Sequence, residues 1–369
     1  MTSPRPRIVL SMIVKNETPV LRRCLTSLRP LIDAWVIVDT GSTDGTQALV
    51  REVCADLPGQ LLERPWVDFA HNRNEALEVA RSMGDYLFTI DADETLEWPE
   101  GFVLPALTAD AYALMMEYAG TRYRRACLLR AATPWRWRGV LHEYLDCDGE
   151  HRIDNLDGPR ILVRAEGARS RNPRKFHDDA AVLETALRHE PDNTRYQFYL
   201  AQSWRDAGEA SLSLAAYRKR AAMGGWEEER WFSEYQIARL KEHLGHTPAD
   251  IAAAYLAAWQ ARPQRAEPLV DLARWHRLRS EWALAFLYAR AASEIALPDD
   301  ALFVDALAYE WRALDEVAIA AWYIGRYREG AQALERLLRE RLFPESERER
   351  IEGHQAHYQR VGAWPPQDA

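Results

Sequence analysis

Two carboxylates one residue apart, Asp91 and Asp93 in the run Asp91-Ala92-Asp93-Glu94, follow directly on the apolar stretch Tyr86–Ile90. Paired acids at the end of a buried segment are costly unless something neutralises them. A hard divalent cation would do so, since Mg²⁺ or Mn²⁺ takes one or two protein carboxylates and fills its other positions with phosphate and water oxygens. Alone, such a pair reads equally as a solvated turn or the first turn of a helix. Two companion clusters change the reading. Arg7–Val14 leads into Lys15-Asn16-Glu17, and Ala34–Val38 leads into a loop rich in Gly, Ser, Thr and Asp, Asp39–Thr46. That loop can present backbone N–H groups and a carboxylate to a nucleotide. It lacks the GK[ST] of a Walker loop and the spacing GxGxxG, which argues against ATPase and dehydrogenase chemistry. Further on, Asp68-Phe-Ala-His-Asn-Arg73-Asn74 opens a helix in which Arg73 could pair with phosphate or base.

Short β-rich runs alternating with helical runs must position these clusters. Thr18 and Pro19 suit an N-cap and first turn for a helix over Val20–Leu28. Another helix runs from the Asp39–Thr46 loop to about Ala55, Gln60–Glu63 suits a strand, and Asp68–Met83 a helix. This alternation predicts an α/β domain with a mostly parallel sheet covered on both faces. Ligands of such sheets bind outside the carboxyl ends of the strands, so three polar clusters at those ends describe one crevice.

From about His177 the pattern is helical throughout. Tyr196–Ala201, Trp231–Ala238 and Glu267–Ala273 begin first helices of successive units. Ala215–Tyr217, Ala253–Tyr255 and Ala283–Ala285 fall in second helices, and Ala320–Tyr327 with Glu329–Arg339 gives a further pair. The period, in the mid-thirties, resembles degenerate tetratricopeptide repeats; the alternative is a generic α-bundle. The aromatics Tyr196, Tyr199, Trp204, Trp231, Tyr235 and Trp275 are candidates for a concave binding face, or for filling between helices. The expected division is a catalytic domain over 1–175 and a repeat domain over 176–369.

The chain has 369 residues and a formal net charge of −9, which disfavours nucleic acid as a partner. Its 4 cysteines are far apart and without CxxC spacing, as expected of free thiols in a reducing compartment. The first apolar run is too short for a signal peptide, and no run reaches the ~20 residues of a membrane span. A cytoplasmic protein is expected, with peripheral membrane contact left open.

Five segments, in order, resemble the glycosyltransferase family 2 catalytic domain: Leu10–Glu17, Val36–Thr46, Asp68–Asn74, Asp91–Glu94 and Trp137–Glu143. The resemblance covers about residues 7–166. It is nearest to lipooligosaccharide-core glucosyltransferases and peptide S-glycosyltransferases, and lacks the QxxRW motif of processive synthases. It implies the GT-A fold, a nucleotide-sugar-binding, Rossmann-like domain, here followed by all-α repeats. It also implies an inverting, metal-dependent transfer from a nucleotide-sugar, a UDP-sugar if Asp39 accepts from uracil, to a peptide, protein or glycan (lipid-core) acceptor. By that resemblance Val14, Asn16, Glu17 and Asp39 hold base and ribose. Arg73 contacts nucleotide or diphosphate, Asp91 the ribose or a metal-bound water, and Asp93 binds Mn²⁺ or Mg²⁺. His142 is a candidate third metal ligand or phosphate contact. Glu143 and Glu94 compete as general base, Glu143 being preferred because a cation beside Glu94 would weaken it. Arg130 and Arg138 are weaker phosphate candidates. The rival reading is an inactive glycosyltransferase-like domain serving a repeat scaffold with a protein partner.

Overall fold

The computed structural model describes residues 5–118 and 121–365 and divides into two compact units, residues 1–186 and 187–369. The first is α/β. Its strands are β1 (Ile8–Val14), β2 (Ala34–Asp39), β3 (Gly59–Glu63), β4 (Tyr86–Thr89), β5 (Glu94–Glu97), β6 (Ala111–Tyr118), β7 (Thr121–Arg130), β8 (Arg136–Arg138), β9 (Tyr144–Asp146) and β10 (Ile153–Val163). Helices α1 (Thr18–Ser27), α2 (Thr46–Val53) and α3 (Phe69–Arg81) connect the first four. Eight strands form one sheet in the order β3-β2-β1-β4-β7-β6-β10-β5, while β8 and β9 pair separately. The run β3-β2-β1-β4 is parallel; β7 joins β4 and β6 antiparallel, and β10 returns parallel to β6.

Alternation along the strands covers both faces of the sheet. Ile8, Leu10, Met12 and Val14 pack with Leu21, Cys24 and Leu25 of α1. Val9, Val36, Val38 and Leu87 face Ala76, Leu77 and Ala80 of α3 on the other side. Parallel register carries Val14 beside Asp39 and Asp39 beside Glu63, so the carboxyl ends of these strands come out along one edge. The start of α1 differs from the expectation. Thr18 lies inside the helix, Glu17 is the N-cap residue, and the Thr18 hydroxyl donates to Asp44 O across the crevice at 3.1 Å. A long-range partner has drawn it away from local capping.

The second unit pairs α5 (Thr194–Asp206) with α6 (Ala210–Ala222), α7 (Glu227–His243) with α8 (Pro248–Ala261), and α9 (Glu267–Leu278) with α10 (Trp282–Ser293). A π-turn (Ala308–Arg312) runs into α11 (Ala313–Tyr323), which pairs with α12 (Tyr327–Glu340). A 3₁₀ turn (Glu345–Glu347) and α13 (Arg348–Arg360) follow, and α4 (Lys175–His189) spans the boundary between the units. These are tetratricopeptide-like helix pairs. No helix among the described residues is long and apolar enough to cross a membrane.

The aromatics considered for a binding face are mostly interior: Tyr196, Trp231, Tyr235 and Trp275 are all buried. Trp231 is the largest of the fully buried side chains. Its Nε1 donates to Ala258 O at 2.8 Å, it stacks on Tyr235, and the Arg265 guanidinium lies 3.9 Å from its ring centroid. Trp231→Ala is expected to cost about 3–5 kcal/mol, the usual penalty for emptying a large aromatic site, and chemical denaturation measures it. A loss under about 1 kcal/mol would mean that the repeats do not depend on this packing.

Candidate active site

The three polar clusters lie at the carboxyl ends of the parallel strands β1, β2 and β4. Asn16, just past β1, has φ 58°, a left-handed conformation that Asn tolerates better than most residues. It locks the first two loops together: its N–H donates to Ser42 Oγ at 2.8 Å, and its Oδ1 accepts from Thr43 N at 2.8 Å. Glu17 N donates to Thr46 Oγ1 at 2.9 Å. Asp39, 1% exposed, uses Oδ1 to accept from Gly41 N, Ser42 N and Gln47 Nε2 at 3.0, 2.8 and 3.1 Å. Its Oδ2 is buried without any hydrogen-bond partner. A buried carboxylate oxygen left without a donor is expensive.

Arg73, on the first turns of α3, joins two later segments. Its Nη2 donates to Asp91 Oδ1 at 2.6 Å and its Nε to Glu143 Oε1 at 2.7 Å, with the guanidinium over Trp137 at 5.0 Å. Burial alone would push the Arg73 pKa down; the two carboxylates outweigh it and hold the value above the ordinary range. Burial would raise the Asp91 pKa, but Arg73 and then Arg125 draw it down to about 2. Asp91 is therefore paired with two protein cations, Arg73 and Arg125, neither of them adjacent to it in sequence. The segment bearing Glu143 is fastened to α3 by Asn74, whose Nδ2 donates to Trp137 O at 2.9 Å and whose Oδ1 accepts from Trp137 N at 2.8 Å.

Glu94 lies beneath Asp91 and is 2% exposed. Its Oε2 accepts from Asp91 N at 3.0 Å, and Arg125 of β7 grips both its oxygens, Nη1 to Oε1 at 2.9 Å. Burial, then the charge of Asp91, raises its pKa. Asp93 accepts from Gly167 N at 2.9 Å through Oδ2, and Glu17 accepts from Ala168 N at 3.2 Å. Burial and the nearby charge of Asp93 push Glu17 up to about 7. His142 is exposed, with φ 52°.

Among the described residues no three His, Cys, Asp or Glu side chains are grouped to hold an ion, so Asp91, Asp93 and His142 are not assembled as a three-ligand set. Val14 ends β1, buried beside Asp39 of β2. Arg130 pairs with Tyr86 at the opposite end of β4, and Arg138 is exposed on β8 and hydrogen-bonded to Asp146 at 2.5 Å. Sequence reasoning missed Arg125, Asn74 and the amides of Gly167 and Ala168. Only Asn74 stood inside a quoted motif.

Residues 10–110 match the sequence model of glycosyl transferase family 2. This stretch is a glycosyl transferase family 2 domain. A TPR repeat-containing protein of Synechococcus elongatus is 31% identical over 153 residues, 38% of this chain and 36% of that protein. The lipopolysaccharide core biosynthesis glycosyltransferase LpsC of Rhizobium meliloti is 39% identical over 107 residues, 28% of this chain and 38% of LpsC. The chain thus covers well under half the length of these two relatives. The crystal structure of S. aureus TarS aligns with 63% of this chain and 53% of its own at 13% identity and a TM-score of 0.35, too slight a likeness to decide anything. The glycosyl transferase domain contains Asp39, Arg73 and the Asp91–Glu94 run, while Glu143 comes from beyond the matched stretch and is brought to it by Arg73.

Proposed function

We propose that this chain is an inverting glycosyltransferase that moves a sugar from a UDP-sugar to a peptide or glycan acceptor, assisted by Mn²⁺ or Mg²⁺. The observation that carries the reading is the row Glu143–Arg73–Asp91, in which one arginine ties the acid run of the family 2 domain to a carboxylate suited to proton transfer. The orphan Oδ2 of Asp39 supports a uracil base, whose ring N–H would complete it. The name of LpsC, which places that relative in lipopolysaccharide core synthesis, supports a glycan acceptor.

Asp93 suits a cation bound chiefly through the donor phosphates: it is a single partly exposed carboxylate with one amide on Oδ2. When bound, such an ion would screen the charge of the departing diphosphate. The chain's own residues do the rest. Asp39, Asn16 and Val14 seat the base and ribose, with Glu17 at the rim. Arg73 holds Asp91 and Glu143 in place. Glu143 takes the acceptor proton on Oε2 as the acceptor oxygen bonds to the anomeric carbon from the face opposite the diphosphate. The bond from that carbon to the phosphate oxygen breaks, and UDP leaves with the electron pair.

Incubating purified protein with UDP-, GDP-, CDP- and dTDP-sugars and measuring nucleotide release tests this reading. UDP release is expected, falling about 10²-fold in Arg73→Met, which unfastens both carboxylates. Release from none of the donors would favour an inactive scaffold, and release of another nucleotide would overturn the role given to Asp39.

A further inference from the structure

Two carboxylates that follow different strands, Glu17 beyond β1 and Asp93 beyond β4, are met by one turn in the chain after β10. Gly167 N donates to Asp93 Oδ2 at 2.9 Å. The next amide, Ala168 N, donates to Glu17 Oε1 and Oε2, each at 3.2 Å. Gly167 is buried. A Cβ at this position would stand 3.0 Å from Asp93 Oδ2, 3.3 Å from Asp93 Cγ and 3.3 Å from Glu17 Oε1, tighter than the contact a side-chain carbon normally makes. Glycine is not needed here for its backbone. Its φ lies outside the left-handed region, so alanine would fit the chain without strain. What the position excludes is a side chain between the turn and the two acids.

If a side chain were added, either the turn or a carboxylate would have to give way, and the turn is held from several sides. Before Gly167, Glu166 is paired with Arg23 of α1 at 2.6 Å. After it, Ala168 N is bonded to Glu17. Arg169 then pairs with the buried Asp179 of α4 and lies over the Phe69 ring of α3, 4.6 Å from its centroid. Asp93, partly exposed, is the freer side, so its carboxylate would turn aside. Mg²⁺ demands near-ideal ligand geometry at about 2.0–2.1 Å, and a carboxylate displaced from its place binds such an ion poorly.

We propose that Gly167 is a positioning residue: its bare backbone fixes Asp93 Oδ2 on the amide and leaves Oδ1 to the cation beside the donor phosphates. This rests on the role proposed above for Asp93.

Calorimetric titration of UDP into the full chain, with Mn²⁺ and with chelator, compares wild type, Gly167→Ala and Glu166→Gln. Mn²⁺ should strengthen UDP binding in wild type. In Gly167→Ala that gain should fall to about twofold or less, below the roughly 5–150-fold range of coupling between two ligands. Metal-free UDP affinity and melting temperature should stay near those of wild type. Glu166→Gln weakens the exposed pair with Arg23 but places no atom beside Asp93, and should keep the gain. A merely structural role for the turn would not give this pattern. A gain in Gly167→Ala equal to or above that of wild type, an equal loss in Glu166→Gln, or loss of metal-free UDP binding or of the fold in Gly167→Ala would each overturn the proposal while leaving the cation reading intact. No Mn²⁺ gain in wild type would refute the cation reading itself, and the role of Gly167 with it.

Discussion

Glu143→Gln should lower turnover with an alcohol acceptor by about 10²–10⁴-fold, the usual worth of general-base catalysis, and leave UDP affinity nearly unchanged. The substitution keeps an oxygen to accept from Arg73 Nε, now 2.7 Å from Glu143 Oε1, so the row holding Asp91 should survive. What it removes is the ability to take a proton. Glu94→Gln provides the comparison. Glu94 is 2% exposed and enclosed by Arg125 and the Asp91 amide, so an acceptor proton has no path to it. Its substitution should instead loosen the floor beneath Asp91 and appear as lost stability. A thiol acceptor, already partly ionised near neutral pH, would shrink the Glu143 effect. Side-by-side kinetics and melting curves of the two variants separate these outcomes. Near-normal alcohol transfer by Glu143→Gln would refute the assignment.

The parts of the site that could be read from the sequence share one property: side-chain chemistry sits next to a local structural signal. Asp39 and Asp91 each follow a buried strand, and Arg73 opens a helix capped by Asp68, whose side chain accepts from His71 N. The parts that could not be read are held by long-range partners. Arg125 reaches Glu94 across 31 positions from within a run of arginines that has no distinguishing period. The amides of Gly167 and Ala168 meet Asp93 and Glu17 across 74 and 151 positions, and backbone donors have no residue type to signal them. The same blindness affected the repeats. Aromatics at helical spacing suit a groove or a core equally well, and only packing against α8 showed that Trp231 belongs inside. The counter-charges of Asp91, Arg73 on α3 and Arg125 on β7, are likewise remote from it in sequence.

That redistribution of charge sharpens what a cation can do here. With Asp91 held by Arg73 at 2.6 Å, Asp93 is the carboxylate of the pair proposed to meet an ion beside the donor phosphates. Mn²⁺ should therefore strengthen UDP binding in wild type by roughly 5–150-fold, the ordinary range of coupling between two ligands, and this gain should vanish in Asp93→Asn. Asparagine retains a carbonyl oxygen for Gly167 N, now 2.9 Å from Asp93 Oδ2, so the loop after β10 should stay seated and metal-free UDP affinity should change little. Only the charge that attracts the ion is lost. Asp91→Asn should behave differently: it leaves Arg73 with Glu143 as its one ionic partner and should weaken UDP binding with or without metal. Calorimetric titration of UDP into the three proteins, with Mn²⁺ and with chelator, distinguishes the two carboxylates. Equal UDP affinity in wild type with and without Mn²⁺ would remove the cation from the mechanism. Charge screening of the diphosphate would then fall to the arginines, and the coupling assigned to Asp93 would have to be withdrawn.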